Sequence, residues 1–187
     1  MGIVMKRRDN APIVKYVYGN ILEILMKQKD LNKAKEWLDE ILNKIMNGEM
    51  NKDNIEMFVV SKSLRGYYKK PETIAHKVLA DRIAERDPGN KPKPNDRIPY
   101  AYWDIPGDQR YEEIITKYKS GKTKIKQKKK KILQGNRIEH RDYIIENNLK
   151  LDYKFYISNQ IMKPVKQLLE IQLEEKEIDE IFKKYID

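Results

Sequence analysis

The sequence predicts a fold that is mainly α with a small β component, that is, an α+β fold. Apolar residues recur every three or four positions in several stretches, which is the spacing of the buried face of a helix. Two short runs of β-branched and aromatic residues flank one of these stretches and are typical of strands. At 187 residues the chain is long enough to bury a core as one domain with appendages.

Two helices are predicted in the first quarter of the chain. The first begins near Pro12, because proline in a first helical turn loses no hydrogen bond, and Asp9 or Asn10 can cap it. The second follows the capping residue Asp30 and ends at Gly48. Their apolar stripes are Ile13, Val17, Ile21 and Leu25 in the first helix, and Ala34, Leu38, Ile41, Leu42 and Ile45 in the second.

The next fifty residues predict a strand, a helix and a second strand. Residues 58–60 favour a strand because they are aromatic and β-branched. The helix spans residues 71–86 and ends at the turn-forming Asp-Pro-Gly of residues 87–89. Residues 97–103 alternate, with Ile98, Tyr100 and Tyr102 on one apolar face and Arg97 and Ala101 on the other, which is typical of a strand. Pro99 predicts that this strand is at an edge or has one free side, because proline cannot donate a hydrogen bond to a neighbour.

Residues 104–131 are interpreted as a lysine-rich inserted loop. Residues 111–118 favour a short helix, whereas lysine dominates residues 119–131 and predicts a mobile segment that does not fold alone. Three interpretations of the lysines remain open: a nucleic-acid tether, a localisation signal, or solvated charge. A tether would add affinity that is lost steeply as salt rises.

The last third of the chain predicts mainly helices. Residues 132–133 favour a strand stub and residues 141–147 a short helix. Asp152 caps a longer helix that Pro164 should kink or break. Residues 174–185 predict a final amphipathic helix, whose acidic character suggests a peripheral element and a docking surface.

The charge of the chain suggests a polyanionic partner. Lysine and arginine total 39 against 29 acidic residues, so the formal net charge is +10. Nucleic acid or an anionic membrane would attract such a surface. Lysine accumulated in an AT-rich genome would produce part of the same excess, and composition alone does not separate the two explanations.

Composition also excludes several kinds of site. The chain has no cysteine, which excludes disulfides and thiolate metal sites and fits a reducing compartment. Its two histidines are too far apart in sequence to suggest a zinc site. No apolar run approaches membrane-spanning length, and the first residues lack a signal-peptide core. Gly2 has the position of a myristoylation site, but Lys6 stands where serine or threonine is required. We therefore expect a soluble intracellular protein with no membrane partner.

Both predicted strands carry basic and hydroxyl side chains beside aromatic ones. Cations and hydroxyls bind phosphates, and aromatic faces pack on sugars or bases, so the pattern indicates a nucleic-acid interface. Ser61, Lys62 and Arg65 follow the first strand, although an ordinary polar strand end would look the same. Arg7 and Arg8 precede a helix N-terminus, which favours anions. A solvated terminus explains these two arginines equally well.

The sequence contains none of the motifs that mark common catalytic sites. The phosphate loop, the dinucleotide-binding glycines, the HExxH zinc motif and the nucleophile elbow are all absent. Its carboxylates are scattered over helix faces and are not paired as in a two-metal site. His76 lies beside the apolar face of its helix, where a packed, hydrogen-bonded histidine is more common than a catalytic one. No catalytic residue and no metal ligand is predicted.

Six motifs occur in order over nearly the whole chain. They are GIVMKRRDNAP (2–12), VSKSL (60–64), AHKVLADRI (75–83), RDPG (86–89), DRIPY (96–100) and LDYKFYISNQI (151–161) followed by KP (163–164). Each motif alone is weak, but their order is specific. Together they resemble the thumb domain of B-family DNA polymerases, closest to the delta type and to those of large DNA viruses. The likeness fails between about residue 103 and residue 131.

The resemblance implies a domain that holds the primer–template duplex behind a polymerase active site. Such a thumb contacts the sugar–phosphate backbone and the minor groove, largely without reading sequence. Pairing of Arg8 with Asp9, or bracing of the polymerase palm, is an alternative role for that arginine. The lysine run adds three further candidates to the contacts that the resemblance implies. The candidate DNA-binding residues are Arg7, Arg8, Ser61, Lys62, Arg65, Arg97, Tyr100, Lys128, Lys129 and Lys130.

The resemblance also implies a division of the chain. Residues 1–103 and 132–171 form the thumb-like DNA-binding domain, residues 104–131 the inserted loop, and residues 172–187 a C-terminal acidic helix. The catalytic aspartates of the palm, the exonuclease carboxylates and the cysteine modules of delta-type enzymes have no counterpart here. We expect a gene piece, a truncated gene or an expressed fragment.

The expected chemistry and partners follow from the family features that this chain lacks. The chain should be inactive alone and hold no cofactor, with two magnesium ions in the palm of a complete polymerase. Its expected partners are double-stranded primer–template DNA and the palm and finger portion, in the same or a separate chain. If viral, it would act in the host nucleus or a cytoplasmic viral factory. Alternatives are a free-standing, non-sequence-specific DNA-binding protein, and a module that binds an acidic protein or a membrane.

Overall fold

The computed structural model describes residues 3–186, with side chains from Val4 onward. Gly2, the first residue of the GIVMKRRDNAP motif, lies outside this range. The element content confirms the prediction of a mainly α fold with a small β component. Across the described residues, no helix is long and apolar enough to cross a membrane.

The first fifty residues form helices, as their spacing predicts. Asp30 caps one of them, since its Oδ1 accepts a hydrogen bond from a backbone N–H of the first turn (3.0 Å). Gly48 ends this helix with a φ of 74°, a conformation that favours glycine. The predicted capping by Asp9 or Asn10 is wrong, because the helix begins after Ala11 without a side-chain cap. The helical segments are Ile3–Lys6 (α1), Pro12–Glu23 (α2), a π-helical turn at Ile24–Gln28, and Leu31–Met46 (α3).

Among the described residues, five strands form two antiparallel sheets. One sheet has three strands in the order β1–β2–β5, and the other is a hairpin of β3 and β4. The strands are Val60–Ser63 (β1), Arg97–Tyr102 (β2), Tyr111–Lys117 (β3), Thr123–Lys129 (β4) and Ile138–His140 (β5).

The three-stranded sheet departs from the sequence prediction in three places. β1 begins two residues late because Glu56–Phe58 forms a 3₁₀ turn. β2 is the central strand and not an edge, but the other alternative predicted from Pro99, one free side at the proline, is confirmed. The proline is tolerated because β5 pairs only with residues 100–102, and one side of β2 at Pro99 is left without a partner. The strand predicted at residues 132–133 is absent, and β5 was not predicted.

Two helices flank this sheet, and a buried ion-pair cluster joins one of them to β5. The Glu139 carboxylate accepts a hydrogen bond from Arg86 (2.9 Å) and lies 3.2 Å from Nε of Arg82. Arg82 also donates to the backbone carbonyl of Gly135, in the turn before β5, and to that of Ile138, the first residue of β5. A buried carboxylate requires such partners, so these contacts fix the helix against the sheet. The helices are Ala75–Arg86 (α4), preceded by a 3₁₀ turn at Pro71–Thr73, and Arg141–Glu146 (α6).

Residues 104–131 contain a short helix and a β-hairpin, so the predicted loop without secondary structure and the predicted helix at residues 111–118 are wrong, whereas the mobility of the segment stays a prediction. A short helix, Gly107–Arg110 (α5), leads into β3. The register pairs Glu112 with Lys128 and Ile115 with Ile125. Residues 111–117 are therefore strand, because each of them pairs with a residue of the following segment, 123–129. Gly121 closes the turn with a φ of 79°.

One long helical stretch follows β5 and α6, and its winding changes twice. Its cap is Asp152, as predicted, with Oδ1 accepting from a backbone N–H of the first turn (3.2 Å). Pro164 does not break this helix. The residues before the proline are wound as a π-helix, and a new α-helical segment begins after them. Pro164 lies in the first turn of that segment, where its missing N–H costs little. The segments are Tyr153–Phe155 (α7), a π-helical stretch at Tyr156–Ile161, and Met162–Leu169 (α8).

The final helix, Glu175–Ile186 (α9), is part of the core. Ile178 and Phe182 are fully buried. The hydroxyl of Tyr185 donates to the Asp39 carboxylate of α3 (2.8 Å), and burial together with this carboxylate raises the pKa of Tyr185 to about 12. The apolar face of α9 is therefore covered by the core, so the predicted peripheral position is wrong, whereas docking on its acidic face stays a prediction.

Tyr156 lies at the centre of the core and is fully buried. Its hydroxyl donates to the carbonyl oxygen of Phe58 (2.5 Å) and accepts from the backbone N–H of Tyr102 (2.9 Å). The rings of these two neighbours meet Tyr156 edge to face, with centroids 5.0 and 5.4 Å away. The Tyr156 side chain thus joins the long helix to the turn that precedes β1 and to the end of β2.

The substitution Tyr156→Phe tests this role. It keeps the ring but leaves a buried carbonyl and a buried N–H without their partner, so the free energy of unfolding should fall by about 1–3 kcal/mol. Urea denaturation measures the change. Tyr67→Phe is the matched control, because Tyr67 is 80% exposed and its effect should stay within about 0.5 kcal/mol. Equal stability of the two variants would contradict the role of the hydroxyl.

Candidate nucleic-acid interface

The register of β1 and β2 brings two serines and an arginine to one face of the sheet. Ser63 lies opposite Arg97, and Ser61 is two residues away on the same face. Arg97 donates from Nε to Oγ of Ser61 (3.1 Å), from Nη1 to Oγ of Ser63 (3.2 Å), and from Nη2 to the carbonyl of Ser61 (3.0 Å). Because the hydroxyls act as acceptors here, each can still donate its own O–H to an anion.

Five of the ten predicted DNA-binding residues line one open groove of about 490 Å³, called here the basic groove. Four of the five are cations, and a single acid, Asp9, shares the lining. Asp9 pairs with Arg7 (3.5 Å), so the alternative pairing proposed for Arg8 is not the one observed. The lining of the basic groove is Arg8, Asp9, Ser61, Lys62, Ser63, Arg65, Tyr68, Ile74, His76 and Arg97.

A tyrosine and a histidine form one wall of the basic groove. The Tyr68 hydroxyl accepts a hydrogen bond from the backbone N–H of Arg65 (2.8 Å) and lies 3.0 Å from Nε2 of His76. The packed, hydrogen-bonded role predicted for this histidine is therefore confirmed. Burial lowers the pKa of His76, and the neighbouring charges of Lys62 and Arg65 act in the same direction. Two cations of the basic groove thus act on the histidine that forms its wall.

A second groove of about 620 Å³, called here the central groove, adjoins the first. The two share Asp9, Lys62, Ile74 and His76, so they form one continuous surface. Predicted residues Arg7, Lys62 and Tyr100 line it. Its lining includes Arg7, Asp9, Asn10, Lys62, His76, Tyr100, Gln134, Asn159, Gln160, Lys163 and Gln167.

Tyr100 belongs mainly to the core. Only 3% of it is exposed, and burial raises its pKa. Its ring therefore cannot stack on a base or a sugar, and only an edge of the residue reaches the central groove.

The predicted lysines of the hairpin lie apart from these two grooves. Lys128 is 3.9 Å from Glu112 on the neighbouring strand. Lys129 and Lys130 line a third groove at the root of the hairpin, called here the hairpin groove. Asn159 lines both this groove and the central groove. The other cations of the hairpin groove are Arg110, Arg137 and Lys154.

Sequence reasoning missed the wall that the long helix contributes to the central groove. Gln160, Lys163 and Gln167 recur at helical spacing and all line it. This polar stripe, opposite the apolar face of the helix, was a usable signal in the sequence. In residues 3–186 no group of three or more histidine or acidic side chains is arranged to hold a metal ion.

Comparison with known proteins decides the family. A family model described as DNA polymerase family B matches residues 1–172. The chain belongs to DNA polymerase family B. It is 50% identical over 186 residues to the DNA polymerase of Acanthamoeba polyphaga mimivirus and 49% identical over 173 residues to that of Pyramimonas orientalis virus. It is 30% identical over 178 residues to the DNA polymerase delta catalytic subunit of Schizosaccharomyces pombe.

This family B chain corresponds to a small part of each relative. The matches cover 100%, 92% and 94% of the chain but 10%, 12% and 14% of the three polymerases, respectively. The fold also matches part of the family B DNA polymerase of the archaeon Pyrobaculum calidifontis. That match has a TM-score of 0.59 at 16% identity and covers 89% of this chain and 18% of the archaeal one.

The lowered pKa of His76 predicts a pH effect on the stability of this family B chain. The unfolded chain binds a proton at an ordinary pKa of about 6.5, whereas the folded chain resists protonation, so stability falls as pH drops through that value. The free energy of unfolding should therefore decrease less between pH 7.5 and pH 5.5 in His76→Gln than in the wild type.

Urea denaturation at the two pH values measures the effect. Burial also lowers the pKa of His140, so His140→Gln should reduce the pH dependence independently, and the double variant should reduce it most. A His76→Gln variant with the full wild-type pH dependence would contradict the assignment.

Proposed function

We propose that this chain is the thumb of a family B DNA polymerase, the part that holds the primer–template duplex through its backbone and minor groove during DNA replication. The observation that carries the proposal is the gathering of Arg8, Ser61, Lys62, Arg65 and Arg97 in one groove, from segments far apart in sequence. Membership of the family gives the reason to identify the anion as DNA.

The chemistry of the basic groove suits phosphate. Its cations attract the charge, and the two serines held by Arg97 can donate hydrogen bonds to phosphate oxygens. Lysine binds phosphate as a point charge, and arginine can add a second hydrogen bond. Contacts of these groups with phosphates carry no information about the bases. The duplex should therefore be held almost independently of its sequence.

Nucleotidyl transfer would take place in another part of the polymerase. Two-metal transfer of this kind needs clustered carboxylates that hold two magnesium ions. The side chains described here do not fit that site, since no three acidic or histidine groups come together. Most of each relative lies outside the matched region. We therefore assign the metal ions to a palm and finger portion, which with the duplex would be the partner of this chain.

Neutralising three cations of the basic groove tests the proposal. For Arg8→Gln/Lys62→Gln/Arg65→Gln, the logarithm of affinity for a labelled DNA duplex should fall less steeply with the logarithm of salt concentration. The slope should drop by about 0.9 for each phosphate that the variant no longer neutralises, or about 2.7 for three. Fluorescence anisotropy at several salt concentrations measures the slope, and two duplexes of unrelated sequence should give the same value.

The control removes the same charge elsewhere. Lys33, Lys52 and Lys183 are exposed and line none of the three grooves. The Lys33→Gln/Lys52→Gln/Lys183→Gln variant should keep the wild-type slope. Equal slopes in both triple variants would exclude the basic groove as the phosphate site. Failure of the wild-type chain to bind any duplex at low salt would overturn the proposed function itself.

A further inference from the structure

The hairpin of β3 and β4 is exposed on both faces. All residues of the two strands are exposed, including Ile114 (42%), Ile115 (56%) and Ile125 (59%). A two-stranded hairpin with no covering layer is only marginally stable in water. Both faces of the hairpin are therefore accessible to a partner.

The charge of the hairpin identifies the chemistry of that partner. Residues 111–131 contain nine lysines and two glutamates, so they carry +7 of the chain's formal +10. Such a concentration of lysine complements a polyanion. No arginine lies in this segment, so the expected contacts are point charges on phosphates with no bidentate readout of guanine.

The register turns the lysine run into an ordered row. Lys124, Lys126 and Lys128 alternate along β4 and so share one face of the hairpin. Alternate residues of a strand are about 6.8 Å apart, which is about twice the axial rise per nucleotide of duplex DNA. The row can therefore follow a phosphate backbone.

The root of the hairpin is fixed to the body of the protein. Arg110 donates from Nε to the carbonyl of Ile105 (2.7 Å) and pairs with Asp104 and, at 3.5 Å, with the buried Asp152. The backbone N–H of Lys130 donates to the carbonyl of Arg110 (2.8 Å). The hairpin thus extends from an anchored base.

The hairpin groove connects this base to the proposed duplex site. Its lining includes Arg110, Arg137, Lys129 and Lys130, and it meets the central groove at Asn159. The central groove in turn adjoins the basic groove. A basic surface therefore runs from β1 to the root of the hairpin.

We propose that the hairpin is a second DNA-binding arm, which binds phosphates of the same duplex further along its axis. The proposal rests on the proposed function. Seven strand residues span about 24 Å, which exceeds the roughly 17 Å from a minor groove to the next major groove, half of a helical turn. A two-stranded ribbon also fits the width of the major groove, about 12 Å. The arm lengthens the stretch of duplex that one chain holds.

Duplex length separates the arm from the main site. The wild-type chain should bind a 25-base-pair duplex at least tenfold more tightly than a 10-base-pair duplex, after correction for the number of overlapping sites. The variant Lys124→Gln/Lys126→Gln/Lys128→Gln should lose this gain in affinity for the longer duplex. Its salt slope on the 25-base-pair duplex should be lower by about 2.7. On the 10-base-pair duplex its affinity should equal that of the wild type. Anisotropy gives both values, and thermal unfolding checks the fold.

Two further variants make each outcome decisive. Replacing residues 112–128 by a short glycine–serine turn between the paired Tyr111 and Lys129 should cause the same loss, even if the triple variant unfolds. The Lys33→Gln/Lys52→Gln/Lys183→Gln control should keep the gain. An undiminished gain in both hairpin variants, or an equal loss in the control, would overturn the arm while leaving the basic groove intact. Absence of wild-type binding to either duplex would overturn the proposed function as well.

Discussion

The hydroxyl of Tyr156 fixes the relative positions of the elements that form the grooves. It bonds to Phe58, two residues before β1, and to Tyr102, the last residue of β2. Ser61 and Lys62 follow the first contact, and Arg97 lies on the strand that ends at the second. Since the oxygen is buried and both its bonds are to backbone atoms, a shift of either strand would leave a polar group unpaired. The cations of β1 and β2 are therefore held on a rigid support.

The basic groove collects like charges at a cost to the free protein. Burial lowers the pKa of His76, and the charges of Lys62 and Arg65 in the same wall lower it further. Arg97 lessens the cost by donating to two serine hydroxyls and a carbonyl, which fixes its guanidinium in one orientation. A bound phosphate would relieve the remaining repulsion. The same cations thus strengthen phosphate binding and destabilise the groove when it is empty.

Local signals in the sequence predicted the helices well and the sheet poorly. The Asp30 cap and the Gly48 stop depend on a few neighbouring residues, so they could be recognised without tertiary information. β5 is only three residues long, and it is defined by pairing with a strand almost forty residues earlier. The lysines of residues 119–131 favoured the prediction of a loop. In β4, however, lysine alternates with isoleucine and glutamine, which is the spacing of a strand. That alternation could be interpreted only once the pairing of β4 with β3 was known.

The same distinction separates the predicted from the missed parts of the candidate site. The residues near β1 were found because cations and hydroxyls cluster at one strand end. The wall made by Gln160, Lys163 and Gln167 was missed because Pro164 suggested that the helix would break there. The π-helical stretch before the proline instead carries the helix through, and wide turns of this kind are frequent at functional sites. The π-turns change the angular spacing of the side chains just before Lys163. One face of the helix can therefore bury Tyr156 and Ile157, while its polar stripe faces the central groove. Arg7 and Lys62 line the same groove.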